Sequence, residues 1–316
     1  MVRPRALKPG ATLAIVSPAS AAKTELVHPG IDCLHGLGYR TRLYPHALDR
    51  GPLYYAGTAE QRACDLMAAF ADPEIDGIIC TRGGWGSAEL LPLLDAGVVR
   101  TNPKVFVGYS DHTSIHIWMA REAELVTFYG PMLAADFARA DGFDGASWGH
   151  ALGGSAEWAV GAGEGLRVLR AGVADGTFAG GCLSILVESL GTPYAMLPAS
   201  ADAPRILFLE DIGTKPYQWD RMLQHLRYAG MLERVSGIVF GEMRQCVAAE
   251  EQALLEGAIL HALKDFEGPI AIGLRSGHVD GANLTLPLGV RVRLDLQDAE
   301  NPRLDFLEAA TRVLGH

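Results

Sequence analysis

Apolar and polar positions follow two different periods along the first half of the chain. Runs such as "ATLAIVS" and "IDGIIC" are short and almost wholly apolar, which is typical of buried strands. "TAEQRACDLMAAF" instead has apolar residues at helical spacing, and Thr58 and Gln61 have the spacing of a helix-capping box. Because such strand, loop and helix units follow one another, we predict a doubly wound parallel sheet. Its ligands should bind at the carboxyl ends of the strands.

The pattern weakens over residues 144–176, where small residues dominate, and then resumes. "RILFLE" and "SGIVFGEM" are predicted strands, "GGCLSILVESLG", "YQWDRMLQHLRYAGML" and "EEQALLEGAILHALKDF" are predicted helices, and "NLTLPLGVRVRLDL" is predicted to be a hairpin or barrel fragment. A chain of 316 residues is long for one hydrophobic core. We therefore expect an α/β domain over residues 1–150, a linker over 151–175 and a β-rich α/β domain over 176–316.

Composition and charge narrow the function classes. Apolar residues make up 49% of the chain, the net charge is −10, and the basic residues are scattered, so we expect a globular protein with no nucleic-acid partner. No stretch approaches the ~20 apolar residues that cross a bilayer, and the amino-terminal apolar run is too short for a secretion signal. We expect a cytoplasmic protein with no membrane partner. The five cysteines form no CxxC pair, which argues against a disulfide framework or a zinc ribbon.

Three chemically reactive side chains come directly after apolar strands. They are Ser110 in "VFVGYSDH", Glu210 in "RILFLEDIG" and His278 in "IAIGLRSGHVDG". A hydroxyl, an imidazole and a carboxylate on three strand-end loops can serve as nucleophile, base and orienting acid. Gly108 would let the strand turn sharply, which exposes the serine at a helix amino terminus where free N–H groups favour negative charge.

Each of these residues also has a plainer interpretation. Ser110 can be a helix N-cap, Glu210 beside Asp211 can be a solvated charge, and His278 can be an ordinary loop histidine. The match to the hydrolase pattern G-x-S-x-G is partial, because His112 occupies the second glycine position. Local sequence alone favours the plainer interpretation at each position.

The turn "TRGGWG" is a candidate anion-binding loop. Gly83 and Gly84 leave backbone N–H groups open, and Arg82 can form a bidentate pair with a carboxylate or phosphate. The turn matches neither common nucleotide-binding glycine pattern, so a nucleotide cofactor is poorly supported.

His112 and His116 have the spacing of two zinc ligands on a helix. Thr113 follows the first histidine where a zincin has glutamate. We therefore predict packing roles for both histidines and no metal site.

The chain as a whole resembles the LD-carboxypeptidase family of serine peptidases, which includes muramoyl-tetrapeptide carboxypeptidases and microcin C immunity proteins. The resemblance rests on an ordered series of blocks: "GATLAIVSPAS", "TRGGWGSAELLPLLD", "VGYSDHT", "GGCLSILVESLGTPY", "FLEDIGTKPYQWDRMLQHLRYAGML", "SGIVFGEM" and "GHVDGANLTLPLG". It implies that an α/β domain carries the serine, that a β-rich domain carries the glutamate and histidine, and that the site lies in the groove between them. It also implies an enzyme without cofactor or metal, and a possible homodimer.

The resemblance implies a role for each candidate residue. Ser110 would attack, His278 would act as base and then acid, and Glu210 would orient His278. The backbone N–H groups of Gly84 and Asp111 would form the oxyanion hole.

The turn "TRGGWG" is similar to the Arg-Gly-Gly-aromatic-Gly stretch of the tetrapeptide carboxypeptidases. This likeness implies that Arg82 and Trp85 bind substrate, with Arg82 facing a terminal carboxylate. Two positions depart from the family blocks: Cys182 stands where asparagine is usual, and Trp85 stands where tyrosine is usual.

The leading hypothesis is a serine carboxypeptidase that releases terminal D-alanine from a murein tetrapeptide during cell-wall recycling. The first alternative is a microcin-immunity-like hydrolase of peptidyl- or aminoacyl-nucleotides, with Trp148 or Trp158 as a platform for the base. The second is a non-catalytic anion- or nucleotide-binding module in which Ser110 is only a cap. A metalloenzyme built on Asp111, His112 and His116 ranks last.

Overall fold

The computed structural model describes residues 1–197, 199 and 204–313. The chain forms two compact units. The first, here the N-unit, contains Met1–Ser155, Gly281–Gly289 and the described residues of 309–316; the second, the C-unit, contains Ala156–Asp280 and Val290–Glu308. The domain boundaries predicted from the sequence, at residues 150 and 175, stay predictions.

The N-unit has a six-stranded sheet. Its strands are β1 (Thr12–Val16), β2 (Arg40–Leu43), β3 (Gly77–Cys80), β4 (Val105–Gly108), β5 (Thr127–Tyr129) and β12 (Leu286–Leu288). The strand order is β2-β1-β3-β4-β5-β12; the first five strands are parallel, and β12 is antiparallel to β5. Both β3 and β4 are buried at every residue, as expected for parallel strands covered on both faces. The predicted α/β fold class is confirmed.

Five helices accompany this sheet. They are α1 (Thr24–Gly36), α2 (Ala59–Ala71), α3 (Ala96–Thr101), α4 (Thr113–Glu122) and α5 (Gly145–Gly153). The capping box predicted for α2 is present, since the Thr58 hydroxyl accepts the N–H of Gln61 and the Gln61 side chain accepts the N–H of Thr58. Helices α2, α3 and α4 pack together, whereas α1 packs against the turn at residues 133–137. The helices thus form two groups, as a doubly wound sheet requires.

The strand order places a switch point between β1 and β3. From β1 the chain moves to β2 on one side, and the later strands β3, β4 and β5 lie on the other. Loops that leave the carboxyl ends of the two strands at such a point diverge and open a crevice, which is the usual ligand position in this architecture.

The C-unit has an eight-stranded sheet. Its strands are β6 (Trp158–Gly161), β7 (Arg167–Arg170), β8 (Val173–Cys182), β9 (Arg205–Glu210), β10 (Val235–Gly241), β11 (Ile270–Leu274), β13 (Arg291–Asp295) and β14 (Arg303–Phe306). The order is β6-β14-β13-β8-β9-β10-β11-β7, with β8 to β11 parallel in the centre and antiparallel strands on both sides. Helices α6 (Leu183–Ser189), α7 (Pro216–Tyr228) and α8 (Gln252–Ala262) accompany it, and α7 packs against both others.

Two segments differ from the sequence-based prediction of their structure. Residues 151–175, predicted as a linker, contain the strands β6 and β7. The hairpin predicted for "NLTLPLGVRVRLDL" is wrong, because β12 pairs with β5 whereas β13 pairs with β8 and β14. Alternation of apolar residues predicts a strand but not its partner, and here two consecutive strands join different sheets. Within the described residues, no helix has the length and apolar character needed to cross a membrane.

Candidate active site

Ser110 lies at a sharp corner between β4 and α4. Its φ angle is +64°, a left-handed conformation that costs a non-glycine residue about 1–2 kcal/mol. The corner continues as one short helical turn, residues 110–112, and then as α4. Ser110 is not the N-cap of α4, since His112 holds that position and makes no side-chain cap bond. Strained backbone at a serine on a strand-to-helix corner is typical of nucleophile elbows.

Neighbouring residues hold this corner in place. The N–H of Ser110 donates to the Tyr129 hydroxyl at 3.0 Å, and Tyr129 is a fully buried residue at the end of β5. A Cβ on Gly83 would lie 2.9 Å from the Ser110 Cβ, and one on Gly108 would lie 2.9 Å from His112 Nδ1, so both positions require glycine. Sequence reasoning missed Tyr129; the only signal was a tyrosine at the end of a short strand beside β4.

Asp111 joins the corner to the glycine turn. Its carboxylate accepts the backbone N–H of Ser87 at 2.8 Å and also the Ser87 hydroxyl. Burial raises the pKa of Asp111, and the two hydrogen bonds from Ser87 act in the opposite direction. The side chain of Asp111 is therefore committed to an internal contact. The described parts of the chain hold no group of three histidine, cysteine, aspartate or glutamate residues arranged for a metal ion.

The glycine turn is anchored to the loop after β1. The N–H of Ser20 donates to the Gly83 carbonyl at 3.2 Å, and the N–H of Trp85 donates to the Ser20 hydroxyl at 3.0 Å. Gly84 has a φ of +96°, and a Cβ there would collide with the Ser20 hydroxyl. The N–H groups of Gly84 and Asp111 have no recorded acceptor among the described residues, so both can donate to a bound anion.

A buried arginine supports the same turn. Arg62 on α2 is 2% exposed and donates to the carbonyls of Pro18 and Gly86, both at 2.8 Å. It also pairs with Glu89. One guanidinium thus fixes the start of the loop after β1 and the end of the glycine turn together.

His112 and His116 are packing residues. His116 Nε2 donates to the Gly108 carbonyl at 2.8 Å, and its Nδ1 accepts from the Thr127 hydroxyl at 2.8 Å. Burial lowers the pKa of His112 to about 3, aided by His116, and lowers the pKa of His116 to about 4. Both rings are therefore neutral at ordinary pH and act as hydrogen-bonding core side chains.

In the C-unit, Glu210 and His278 form a close pair. Glu210 is the last residue of β9 and is 0% exposed, so the solvated-charge interpretation of this residue is wrong. Its Oε2 lies 2.8 Å from His278 Nδ1 and accepts the His278 backbone N–H at 3.0 Å. With Nδ1 held by the carboxylate, Nε2 is the nitrogen that can exchange a proton with a substrate or nucleophile.

Two glycines make room for this carboxylate. A Cβ on Gly277, whose φ is +92°, would lie 2.5 Å from the Glu210 Cδ, and one on Gly241 would lie 2.6 Å from the Glu210 Cβ. The Cys182 of β8 is in register with Glu210, is buried, and has its thiol 3.4 Å from the Ser184 hydroxyl. Burial raises the pKa of Cys182 well above its usual value, so the thiol is neutral.

The candidate residues therefore gather in two sets. The first set lies on the loops that follow β3 and β4 of the N-unit: Arg82, Gly84, Trp85, Ser110 and Asp111. In the C-unit, Glu210 ends β9 and His278 lies on the loop after β11. Each set occupies the carboxyl edge of its own parallel strands.

Comparison with known proteins agrees with this arrangement. The LD-carboxypeptidase N-terminal domain matches residues 13–130, and the LD-carboxypeptidase C-terminal domain matches residues 175–294. The chain belongs to the LD-carboxypeptidase family. It is accordingly a serine-peptidase hydrolase.

Individual relatives fall into two groups. The murein tetrapeptide carboxypeptidase of Pseudomonas aeruginosa is 30% identical, over 84% of this chain and 87% of the relative. Among solved structures, the muramoyltetrapeptide carboxypeptidase of Oxalobacter formigenes is 28% identical with a TM-score of 0.81, covering 95% of this chain and 99% of the other. An MccF-like protein from Bacillus anthracis is 26% identical with a TM-score of 0.89, covering 98% and 100%. MccF is the name of a microcin C7 self-immunity protein of Escherichia coli.

The buried histidines predict how stability depends on pH. Because the folded pKa of His116 is about 4 and the unfolded value is ~6.5, the unfolded chain binds a proton that the folded chain does not, so stability falls as the pH drops from 6.5 towards 4. The variant His116→Gln lacks this titrating imidazole. The slope of its unfolding free energy against pH should therefore be smaller by up to about 1.4 kcal/mol per pH unit. Urea unfolding between pH 7 and 4.5 measures the slope. His261→Gln, an exposed histidine, is the control, and a slope in His116→Gln equal to that of the parent contradicts the assignment.

Proposed function

We propose that this protein is a serine LD-carboxypeptidase that releases terminal D-alanine from a murein tetrapeptide in cell-wall recycling. The observation that carries the proposal is the buried Glu210–His278 pair, in a chain of this family that also has the strained Ser110 corner. A serine with positive φ and an imidazole bonded to a buried carboxylate are two parts of a hydrolytic triad. Cytoplasmic placement and a homodimer stay predictions.

In the proposed reaction, Ser110 attacks the carbonyl carbon of the bond before the terminal residue. His278 accepts the serine proton through Nε2 and then gives it to the departing amine, and the C–N bond breaks as an acyl-serine forms. Water, deprotonated by His278, then attacks the acyl-serine and restores the hydroxyl. The proposal requires Ser110 and His278 to come within hydrogen-bond distance in the working enzyme.

The Glu210 carboxylate holds His278 in the productive tautomer. Its short contact with Nδ1 keeps the proton on that nitrogen while Nε2 acts as base, and its negative charge stabilises the imidazolium formed in the transition state. The second hydrogen bond, from the His278 N–H, fixes the loop as well as the ring.

The N–H groups of Gly84 and Asp111 are the proposed oxyanion donors. Gly83, the residue before Gly84, lies against Ser110, and neither of the two N–H groups is used within the described chain. Donors of this kind act on the charge that develops on the substrate oxygen, and one is typically worth about 100- to 1,000-fold in turnover.

Arg82 is the proposed partner of the terminal carboxylate. The side chain is half-buried, and one nitrogen donates to the Ala21 carbonyl at 3.4 Å. This contact orients the guanidinium and leaves its other donors for a ligand, which suits bidentate recognition of a carboxylate. Trp85 is 49% exposed and supplies an apolar surface next to it.

Ser110→Ala should lower turnover by at least about 10⁴-fold, because the nucleophile is lost while the oxyanion donors remain. D-Alanine release from the tetrapeptide is the measurement, with Ser155→Ala as a control for purification and folding. Alanine meets the same backbone strain as serine at this φ, so the fold should persist. Release of D-alanine by pure Ser110→Ala at the parental rate would show that the mechanism is wrong.

Tyr129→Phe should lower kcat about 10- to 100-fold and leave KM nearly unchanged, because it removes the acceptor of the Ser110 N–H. Tyr44→Phe is the matched control, since it also removes a hydroxyl from a buried tyrosine of the N-unit, one that contacts Asp72. A positioning role predicts that only Tyr129→Phe slows the chemical step when both variants lose similar stability in urea. Equal kcat values for the two variants would assign Tyr129 to packing alone.

The rival function is that of a microcin-immunity-like hydrolase, favoured by the likeness to the MccF-like structure. Of the two tryptophans considered as a platform for the base, Trp148 is excluded because it is 3% exposed and packs among Tyr39, Phe137 and Phe143. Trp158 stacks on Phe306 at 4.2 Å.

A comparison of kcat/KM for the tetrapeptide and for an aminoacyl sulfamoyl adenylate separates the two functions. We expect the tetrapeptide to be preferred, and the opposite order would favour the rival.

A further inference from the structure

A cavity of about 510 Å³ opens at the switch point of the N-unit sheet. Its walls come from the loop after β1, the loop after β2 and the glycine turn after β3. Gly84 lines it, and the preceding residue, Gly83, lies against Ser110. The residue that packs against the proposed nucleophile is therefore the chain neighbour of a residue that lines the cavity.

Backbone contacts hold the three walls together. The N–H of Ala21 donates to the Tyr54 carbonyl at 2.9 Å, and Ser20 and Tyr55 form an antiparallel bridge. Ser20 also bonds to the glycine turn through both its backbone and its hydroxyl. The shape of the cavity is thus built into the fold and does not have to form when a ligand binds.

The charge in the cavity is opposite in sign to that of the whole chain. The cavity has three cationic and three aromatic side chains among its lining residues: Lys23, Arg50, Arg82, Tyr54, Tyr55 and Trp85. None of its described lining residues is an aspartate or a glutamate, although the chain carries a net charge of −10. Among the described residues, no ion pair is recorded for any of the three cations, whereas Arg42 and Arg62 in the same unit are paired. Unpaired cations around one cavity favour an anionic ligand.

One terminal carboxylate does not account for this site. The volume lies within the range of about 300–1,000 Å³ found for sites that hold whole small ligands, and three cations exceed what one carboxylate needs. We propose that the cavity is an anion-binding subsite in which Lys23 and Arg50 recognise a second carboxylate of the peptide substrate. This inference rests on the proposed function, and it assigns the specificity of the same site to a peptide that carries a carboxylate besides the terminal one.

The test compares two peptides that differ in one group. Both end in D-alanine with a free terminal carboxylate; one has a second free carboxylate on a preceding residue, and the other has the corresponding carboxamide. We expect the parent enzyme to hydrolyse the dicarboxylate with a kcat/KM about 10-fold higher, an advantage that shrinks with added salt because the contacts are exposed.

The double variant Lys23→Gln, Arg50→Gln should lose this preference. Its kcat/KM for the dicarboxylate should fall about 10-fold, and its value for the carboxamide should stay within about 2-fold of the parent, because only one substrate carries the recognised group. Lys8→Gln removes one exposed positive charge outside this cavity, and its charge-matched comparisons are the single variants Lys23→Gln and Arg50→Gln. Arg50→Lys tests whether charge alone or the planar guanidinium is required.

The outcomes separate the two proposals. Equal hydrolysis of both peptides by the parent enzyme, or an equal loss on both peptides in the double variant, overturns the subsite and leaves the carboxypeptidase function standing. Failure of the parent enzyme to hydrolyse either peptide contradicts the proposed function itself. Loss of preference in Lys8→Gln would show that the long-range charge of the protein, and not the cavity, selects the substrate.

Discussion

A carboxylate with no exposure to solvent has to be compensated inside the protein, and this requirement shapes the carboxyl edge of the C-unit sheet. Glu210 meets it by accepting both the ring N–H and the backbone N–H of His278 at one oxygen. An uncompensated buried charge costs several kcal/mol, so the histidine loop is held at the end of β9 by the same interaction that sets the tautomer of the ring. Positions 241 and 277 are both glycines, and a Cβ at either position would overlap the Glu210 side chain.

A second constraint governs the N-unit, where the backbone of Ser110 adopts a conformation that serine avoids. The Tyr129 hydroxyl, the closely packed Gly83 and the Asp111–Ser87 hydrogen bonds together hold that conformation. Strain that persists because its surroundings enforce it is characteristic of positions with a chemical task. The contacts that hold the serine also hold the glycine turn, so the proposed nucleophile and the proposed anion-binding loop are fixed to each other within this unit.

The sequence predicted the α/β class, the strands β1, β3 and β4 and the residues at strand ends, because parallel buried strands are short apolar runs and their loops carry the polar chemistry. It could not predict that β12 pairs with β5 instead of with β13, because apolar alternation carries no information about the partner strand. It also overlooked Tyr129 and Arg62, which act through contacts between residues far apart in sequence. Local statistics favoured a solvated Glu210, and only its burial showed that the carboxylate belongs to the histidine.

The central claim is that Ser110 is a nucleophile activated by the Glu210–His278 pair. Reaction with a fluorophosphonate, followed by peptide mapping in a mass spectrometer, tests it most directly. The account predicts a single adduct on the peptide that contains Ser110, formed much more slowly when His278 is replaced by glutamine. An adduct on a different residue, or equal labelling rates with and without the imidazole, would contradict it.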